Sequence, residues 1–211
     1  MVKAVLFDVD GVLIDSLDAN RALFNDYLAL KNIPPVSVEE YIGLKAFHLP
    51  FKESIRLSLG FASAEEALAF IAHGKEQGIW YKKELVGIPE GIHTTLDILK
   101  QKYILGIVTS RRTETVELIP SLKALMPYFE TAVFVEDVVN TKPHPEPLLL
   151  AASRLNVKPE ECVYVGDAET DMHAAEAAGM GMITFADDVK GNATLATKAF
   201  LELQELIEKL S

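Results

Sequence analysis

The residues of this chain best suited to chemistry stand after short apolar runs. Asp8-Val9-Asp10-Gly11 follows Ala4-Val5-Leu6-Phe7, and Thr109-Ser110 follows Ile104 to Val108. Lys142-Pro143 lies downstream of Ala132 to Val135, and Gly166-Asp167, then Asp171, follow Cys162 to Val165. Carboxylates, a hydroxyl pair and one lysine are the inventory of phosphoryl transfer. A phosphate monoester is a dianion and repels a carboxylate nucleophile. A lysine and a divalent cation offset that repulsion and neutralise charge in the transition state. Hard oxygen donors suit Mg²⁺, which takes one or two carboxylates besides water and substrate phosphate. An aspartate nucleophile gives an acyl-phosphate, splitting one hard displacement into two steps. A second carboxyl group protonates the leaving oxygen and then activates water. In Asp8-Val9-Asp10, alternate residues of an extended segment point to one side, and Gly11 permits an abrupt backbone exit. The hydroxyls of Thr109 or Ser110 suit the phosphoryl oxygens.

Such groups meet only if the elements carrying them are arranged in one way. The four runs, with Gly181 to Phe185, read as strands buried on both faces, the pattern of a parallel sheet. Helical spacing separates the later runs: Ile92 to Lys102, Pro145 to Leu155 with a stop at Asn156, and Asp171 to Ala178 with a stop at Gly179. Alternating strands and helices predict a doubly wound α/β sheet, whose working site lies at the carboxyl ends of its strands. Residues 16–85 read differently, as all-helical. Ser63 and Glu66 have capping-box spacing before an amphipathic stretch ending near Leu85, and Gly87, Pro89 and Gly91 mark the return to the α/β pattern. The expectation is an α/β catalytic core of residues 1–15 and 86–211 with an inserted helical domain of residues 16–85.

Composition narrows the function classes. A formal net charge of −11 excludes a basic nucleic-acid footprint. The single cysteine, Cys162, excludes an intrachain disulfide and a multi-cysteine metal site. It stands in an apolar strand and reads as a buried residue. No apolar run is long enough for a signal peptide or a spanning helix, so a cytoplasmic protein without membrane contact is expected.

Phe7-Asp8-Val9-Asp10-Gly11-Val12-Leu13-Ile14-Asp15-Ser16 resembles the first motif of the haloacid dehalogenase-like hydrolase superfamily. The Thr109-Ser110, Lys142 and Asp167/Asp171 segments resemble its other three motifs, in the right order. The resemblance covers the whole chain and implies a Rossmann-like core with a helical cap. It implies that Asp8 is the nucleophile and a Mg²⁺ ligand, and that Asp10 is the general acid/base with its backbone carbonyl on the metal. Thr109 would hold the transferring phosphoryl group with Ser110 adjacent. Lys142 would neutralise charge, Asp167 would be the further metal ligand, and Asp171 a supporting carboxylate. An aspartate at position 10 implies phosphatase or phosphomutase chemistry on a small phosphorylated metabolite. The phosphoglycolate phosphatase group is the nearest in pattern, with a β-phosphoglucomutase-like mutase or a pyrophosphatase as alternatives. A monomer and a homodimer are both compatible with the sequence.

Plainer roles compete at several positions. Thr109-Ser110 is also placed to cap a helix starting near Arg112 or Thr113. Asp171 also suits the positive end of a helix dipole. Glu136-Asp137 reads as a solvated strand end, or as a carboxylate pair that orients Lys142. His48, His73, His144 and His173 read as solvated or structural. Lys45, His48, Lys52, Arg56, Arg111 and Arg112 are cations in an acidic chain and are the candidate contacts for a substrate carboxylate or second phosphate.

Overall fold

The computed structural model describes residues 1–44, 51–186, 195–197 and 199–210. They form two compact units, Met1–Asp15 with Gly87–Ser211, and Ser16–Val86. In the first unit, six strands make one parallel sheet: β1 Ala4–Phe7, β2 Ile104–Val108, β3 Thr131–Val133, β4 Cys162–Gly166, β5 Gly181–Thr184 and β6 Leu195–Ala196. The order is β3-β2-β1-β4-β5-β6, so the chain reverses its direction of growth between β1 and β4. That reversal leaves a crevice beyond the strand ends, where doubly wound sheets bind ligands.

Register brings the strand ends level. Phe7 pairs with Ile107 on one side and Val165 on the other. The Asp8 amide continues the ladder by donating to the Val165 carbonyl at 2.9 Å. All of β1 is fully buried, because helices cover both faces and a run of Ala, Val, Leu and Phe exposes nothing polar to either.

The helices are α1 Leu17–Ala29, α2 Val38–Ile42, α3 Phe51–Leu59, α4 Ala64–Glu76, α5 Ile92–Leu99, α6 Glu114–Leu118, α7 Pro120–Leu125, α8 Glu146–Arg154, α9 Glu169–Ala178 and α10 Leu203–Lys209. On one face of the sheet Ala4, Leu6, Cys162 and Tyr164 join Leu148, Ala151 and Ala152 of α8 and Ala174, Ala175 and Ala178 of α9 in one core. On the other, the Phe7 ring stacks on Phe200 with centroids 6.5 Å apart, and α5 packs against α10 and the turn at Phe200–Glu202. Stops appear where the expected residues allow left-handed backbone, at Asn156 (φ 56°) and Gly179 (φ 72°).

Three expectations need correction. The third strand is Thr131–Val133, not Ala132 to Val135. The Asp137 carboxylate accepts the Phe134 amide at 2.8 Å and turns the chain away from the sheet there. The amphipathic stretch after Ser63 ends at Glu76, since Gly78 (φ 83°) breaks it, and only a short 3₁₀ turn, Lys83–Leu85, lies beyond. Ser63 does cap this helix, accepting the Glu66 amide at 3.2 Å. The Glu66 carboxylate, however, takes the Ala62 amide at 3.0 Å, so the box is not closed. A closed capping box is made instead by Ser37 and Glu40, two helices earlier. Among the described residues no helix is long and apolar enough to cross a membrane.

The second unit has its own core of Phe24, Tyr27, Leu28, Tyr41, Ile55 and Ala67. Tyr27 is its keystone. Its ring meets Phe51 and Phe70 at centroid distances of 5.5 and 5.8 Å, and its hydroxyl donates to the Ile71 carbonyl at 2.9 Å. The ring lies against α4 at Gly74, where a Cβ would fall 2.2 Å from Tyr27 Cε1. Glycine inside a helix ordinarily weakens it relative to alanine. Here the sign reverses: Gly74→Ala is expected to destabilise the protein by about 1–3 kcal/mol through overpacking. Urea denaturation checks this, and a variant as stable as the parent or more so contradicts the contact.

Candidate active site

The site begins where β1 ends. Beyond Asp8 the chain folds on itself, with the Val9 carbonyl accepting the amides of Leu13 at 2.9 Å and Ile14 at 3.0 Å. Val9, Val12, Leu13 and Ile14 are buried, so apolar packing anchors the turn that carries the acidic residues. Gly11 has φ 71°, and a Cβ there would lie 2.0 Å from Asp167 Oδ2. Both features require glycine, and the missing side chain is what lets Asp167 approach the Asp8 loop. The chain leaves this unit after Asp15 and re-enters at Gly87, and these two residues exchange backbone hydrogen bonds of 3.0 and 2.9 Å.

Lys142 is the centre of the cluster, with only 5% of its side chain exposed. Its ammonium donates to Asp171 Oδ1 at 2.6 Å and to the Tyr164 hydroxyl at 2.9 Å, and lies 3.0 Å from Asp8 Oδ1. Three N–H groups therefore meet three oxygens, the full capacity of an ammonium. Asp171 uses its other oxygen to accept the amides of Asp167 at 3.2 Å and Ala168 at 3.1 Å. It is thus both a first-turn residue of α9 and the group that ties that turn to Lys142. The Tyr164 hydroxyl donates to the Val108 carbonyl at 3.0 Å, linking β4 to the end of β2.

These contacts set the charges. Burial opposes charge on Lys142, but the Asp171 and Asp8 carboxylates outweigh it and hold the ammonium well above its ordinary pKa. Burial pushes the Asp8 carboxyl well above the usual carboxylate range, opposed by Lys142 and reinforced by Asp171, Asp167 and Asp10. Burial, and then Asp171, raise the Tyr164 phenol far above its ordinary value, so it stays a neutral donor. Cys162 is inert by the same logic: burial pushes its thiol up to about 11.

Carboxylate oxygens of Asp8, Asp167 and Asp171 lie within 4.8 Å of one another, a grouping that could hold a metal ion. Asp171 is the least suited of the three, since Lys142 and two amides already occupy its oxygens. Asp8 and Asp167 fit better. They offer hard oxygen donors in a pocket with surplus negative charge, and a cation would reverse the upward push on Asp8. The Asp10 carboxylate points elsewhere: Arg111 holds it in a two-point ion pair, Nε to Oδ2 and Nη2 to Oδ1, both at 2.6 Å.

Thr109 is buried at the end of β2, and its Oγ1 accepts the Arg111 amide at 3.2 Å. That hydrogen bond replaces the helix-capping role: α6 begins at Glu114, and its N-cap, Thr113, makes no side-chain capping bond. Ser110 is exposed. Glu136 accepts the Thr113 amide at 3.2 Å, and Asp137 pairs with Arg154 at 2.8 Å. The oxygens on Lys142 come instead from Asp8, Asp171 and Tyr164. His144 is exposed and accepts the Glu146 amide at 3.2 Å. Among the substrate candidates, Arg56 pairs with Glu53 at 2.7 Å, while Lys45 and His48 lie outside the described residues. Sequence reasoning missed Tyr164, whose only signal was a phenol in an otherwise aliphatic strand. It also missed the pairing of Arg111 with Asp10. Tyr164→Phe leaves the Lys142 ammonium one acceptor short and the Val108 carbonyl one donor short. It is expected to lower unfolding stability by about 1–3 kcal/mol, measured by urea denaturation; an unchanged midpoint would show that the hydroxyl bridges nothing.

The chain is similar to known proteins over nearly all of its length. Pyrophosphatase PpaX of Bacillus velezensis is 34% identical over 212 residues, covering 100% of this chain and 94% of the relative. A solved HAD-superfamily hydrolase, subfamily IA, variant 1, from Geobacter sulfurreducens is 30% identical with a TM-score of 0.74, covering 98% of this chain and 96% of that one. A provisionally assigned phosphoglycolate phosphatase from Lactobacillus plantarum is 25% identical with a TM-score of 0.80, covering 98% and 100%. The haloacid dehalogenase-like hydrolase model matches residues 5–185. That stretch carries β2 to β5 entire, β1 but for Ala4, and every side chain of the Lys142 cluster, and the chain belongs to the haloacid dehalogenase-like hydrolase family.

Proposed function

We propose that this phosphatase hydrolyses small phosphate monoesters in the cytoplasm through a phosphoryl group carried on Asp8. The observation that carries this reading is the buried Lys142 ammonium 3.0 Å from Asp8 Oδ1. A cation fixed beside a carboxylate lets that carboxylate approach a dianionic phosphate. An Asp8 oxygen attacks phosphorus, the bond to the leaving oxygen breaks, and its electron pair departs with that oxygen. Asp10 delivers a proton to it. In the second step Asp10 takes a proton from water, the water oxygen bonds to phosphorus, and the bond to Asp8 breaks to restore the carboxylate. Thr109, with Ser110 beside it, holds the transferring oxygens, and Lys142 balances their charge. Mg²⁺ held by Asp8, Asp167 and the Asp10 carbonyl would supply the further positive charge that phosphoryl transfer needs. Asp171 supports the cluster by fixing Lys142.

Substrate choice falls to the Ser16–Val86 unit, which we read as the cap, with Lys52 and Arg56 as its candidate contacts. The 34% identity to a protein named as a pyrophosphatase makes inorganic pyrophosphate a second substrate to test beside phosphoglycolate.

The test is phosphate release from a panel of esters and pyrophosphate, with Mg²⁺ or with chelator. Chelator is expected to abolish turnover, and Asp8→Asn to lower kcat by a factor on the order of a thousand or more. Calorimetric titration of the protein with Mg²⁺ is expected to show one site, weakened in Asp167→Asn. Retained turnover in Asp8→Asn rules out the nucleophile assignment, and a requirement for a bisphosphate activator would mark a mutase instead.

A further inference from the structure

The Arg111–Asp10 pair poses a problem for the reaction just described. Asp10 has to face the leaving oxygen, yet both of its carboxylate oxygens are taken by one guanidinium at 2.6 Å each. Arg111 is mounted firmly. Its side chain is 13% exposed, its amide donates to Thr109 Oγ1 at 3.2 Å, and its carbonyl accepts the Val135 amide at 3.1 Å. The residue therefore spans from the threonine at the end of β2 to the carboxylate three residues beyond β1. The Asp10 side chain is 37% exposed, so the pair is open to an incoming anion. Turnover requires the fork to open, and something must then take the place of the carboxylate on the guanidinium. A phosphoryl group does so with the same bite, since two of its oxygens match two parallel N–H donors.

We propose that Arg111 sets substrate choice by exchanging Asp10 for a second phosphoryl group on the leaving side. The inference rests on the reading of Asp10 as the acid/base. In a phosphoric anhydride the leaving oxygen carries that second phosphoryl group. Its capture by Arg111 releases an Asp10 oxygen at the moment the bridging oxygen needs a partner. Asp8 then bonds to the transferred phosphorus and the bridging P–O bond breaks. The electron pair goes to the bridging oxygen, which takes the proton that Asp10 gains from solvent once Arg111 lets it go, and orthophosphate leaves. An ester with an uncharged leaving group offers Arg111 nothing, and the fork stays closed on Asp10.

The experiment measures kcat/KM with Mg²⁺ for inorganic pyrophosphate and for p-nitrophenyl phosphate, using the unaltered protein, Arg111→Ala and Arg111→Lys. The ratio of the two values is expected to fall by about thirtyfold or more in Arg111→Ala. Arg111→Lys should regain only part of it, because an ammonium lacks the fork. A ratio that stays the same, whether both rates drop together or neither moves, overturns the proposal and leaves Arg111 a structural partner of Asp10. If Arg111→Ala does not fold, the unaltered protein decides. Methylenediphosphonate should inhibit p-nitrophenyl phosphate hydrolysis at least about tenfold more tightly than methylphosphonate, and equal inhibition overturns the proposal. Hydrolysis of neither substrate would instead defeat the phosphohydrolase reading, and this inference with it.

Discussion

The buried ammonium of Lys142 is the constraint around which the first unit is arranged. An isolated charge in a protein interior costs several kcal/mol, so it survives there only when every donor is matched. The three oxygens that match it come from three separate places: the end of β1, the middle of β4 and the first turn of α9. Parallel strands in level register bring those places together, and the order with β1 beside β4 makes them neighbours. Asp171 carries the constraint one step further. By accepting the amides of Asp167 and Ala168, it fixes the turn from which Asp167 reaches towards Asp8. Hydrogen bonding in one network thus extends from Lys142 to the backbone that carries Asp167.

Lys142 satisfies its own hydrogen bonds without balancing the charge around it. One ammonium faces Asp8 and Asp171 directly, with Asp167 and Asp10 close enough to act on Asp8. Burial first, and then these carboxylates, raise the Asp8 pKa against the pull of Lys142. On the proposed reading of Asp8 as the nucleophile, a small divalent cation near Asp8 and Asp167 would favour its charged form. The absent side chain of Gly11 keeps the approach between those two residues open.

Much of this was legible in the sequence, and the limits have physical reasons. β1, β2, β4 and β5 are readable because strands buried on both faces must be continuously apolar. β6 is two residues long, Leu195–Ala196, and exists through its pairing with β5, which no local pattern announces. The end of β3 was misplaced because a side chain, Asp137, outcompetes the ladder for the Phe134 amide. In the site, the residue types after each run pointed to phosphate chemistry, and the structure brings Asp8, Lys142 and Asp171 into contact. What the sequence could not show is which carboxylate meets which cation. Lys142 and Arg111 were both available to Asp10, and the geometry of the β2 end decides for Arg111.

That choice separates two aspartates only two residues apart. Asp8 lies in a buried pocket against an ammonium that other groups hold in place. Asp10 is partly exposed and bound by a guanidinium from the loop after β2. The distinct roles proposed for Asp8 and Asp10 need distinct surroundings, and alternate residues of a single turn receive them from separate cations. A lysine in place of Arg111 would supply charge to Asp10 without the two-point geometry. The arrangement therefore uses the guanidinium for its shape as much as for its charge, and shape is what a competing phosphoryl group can match.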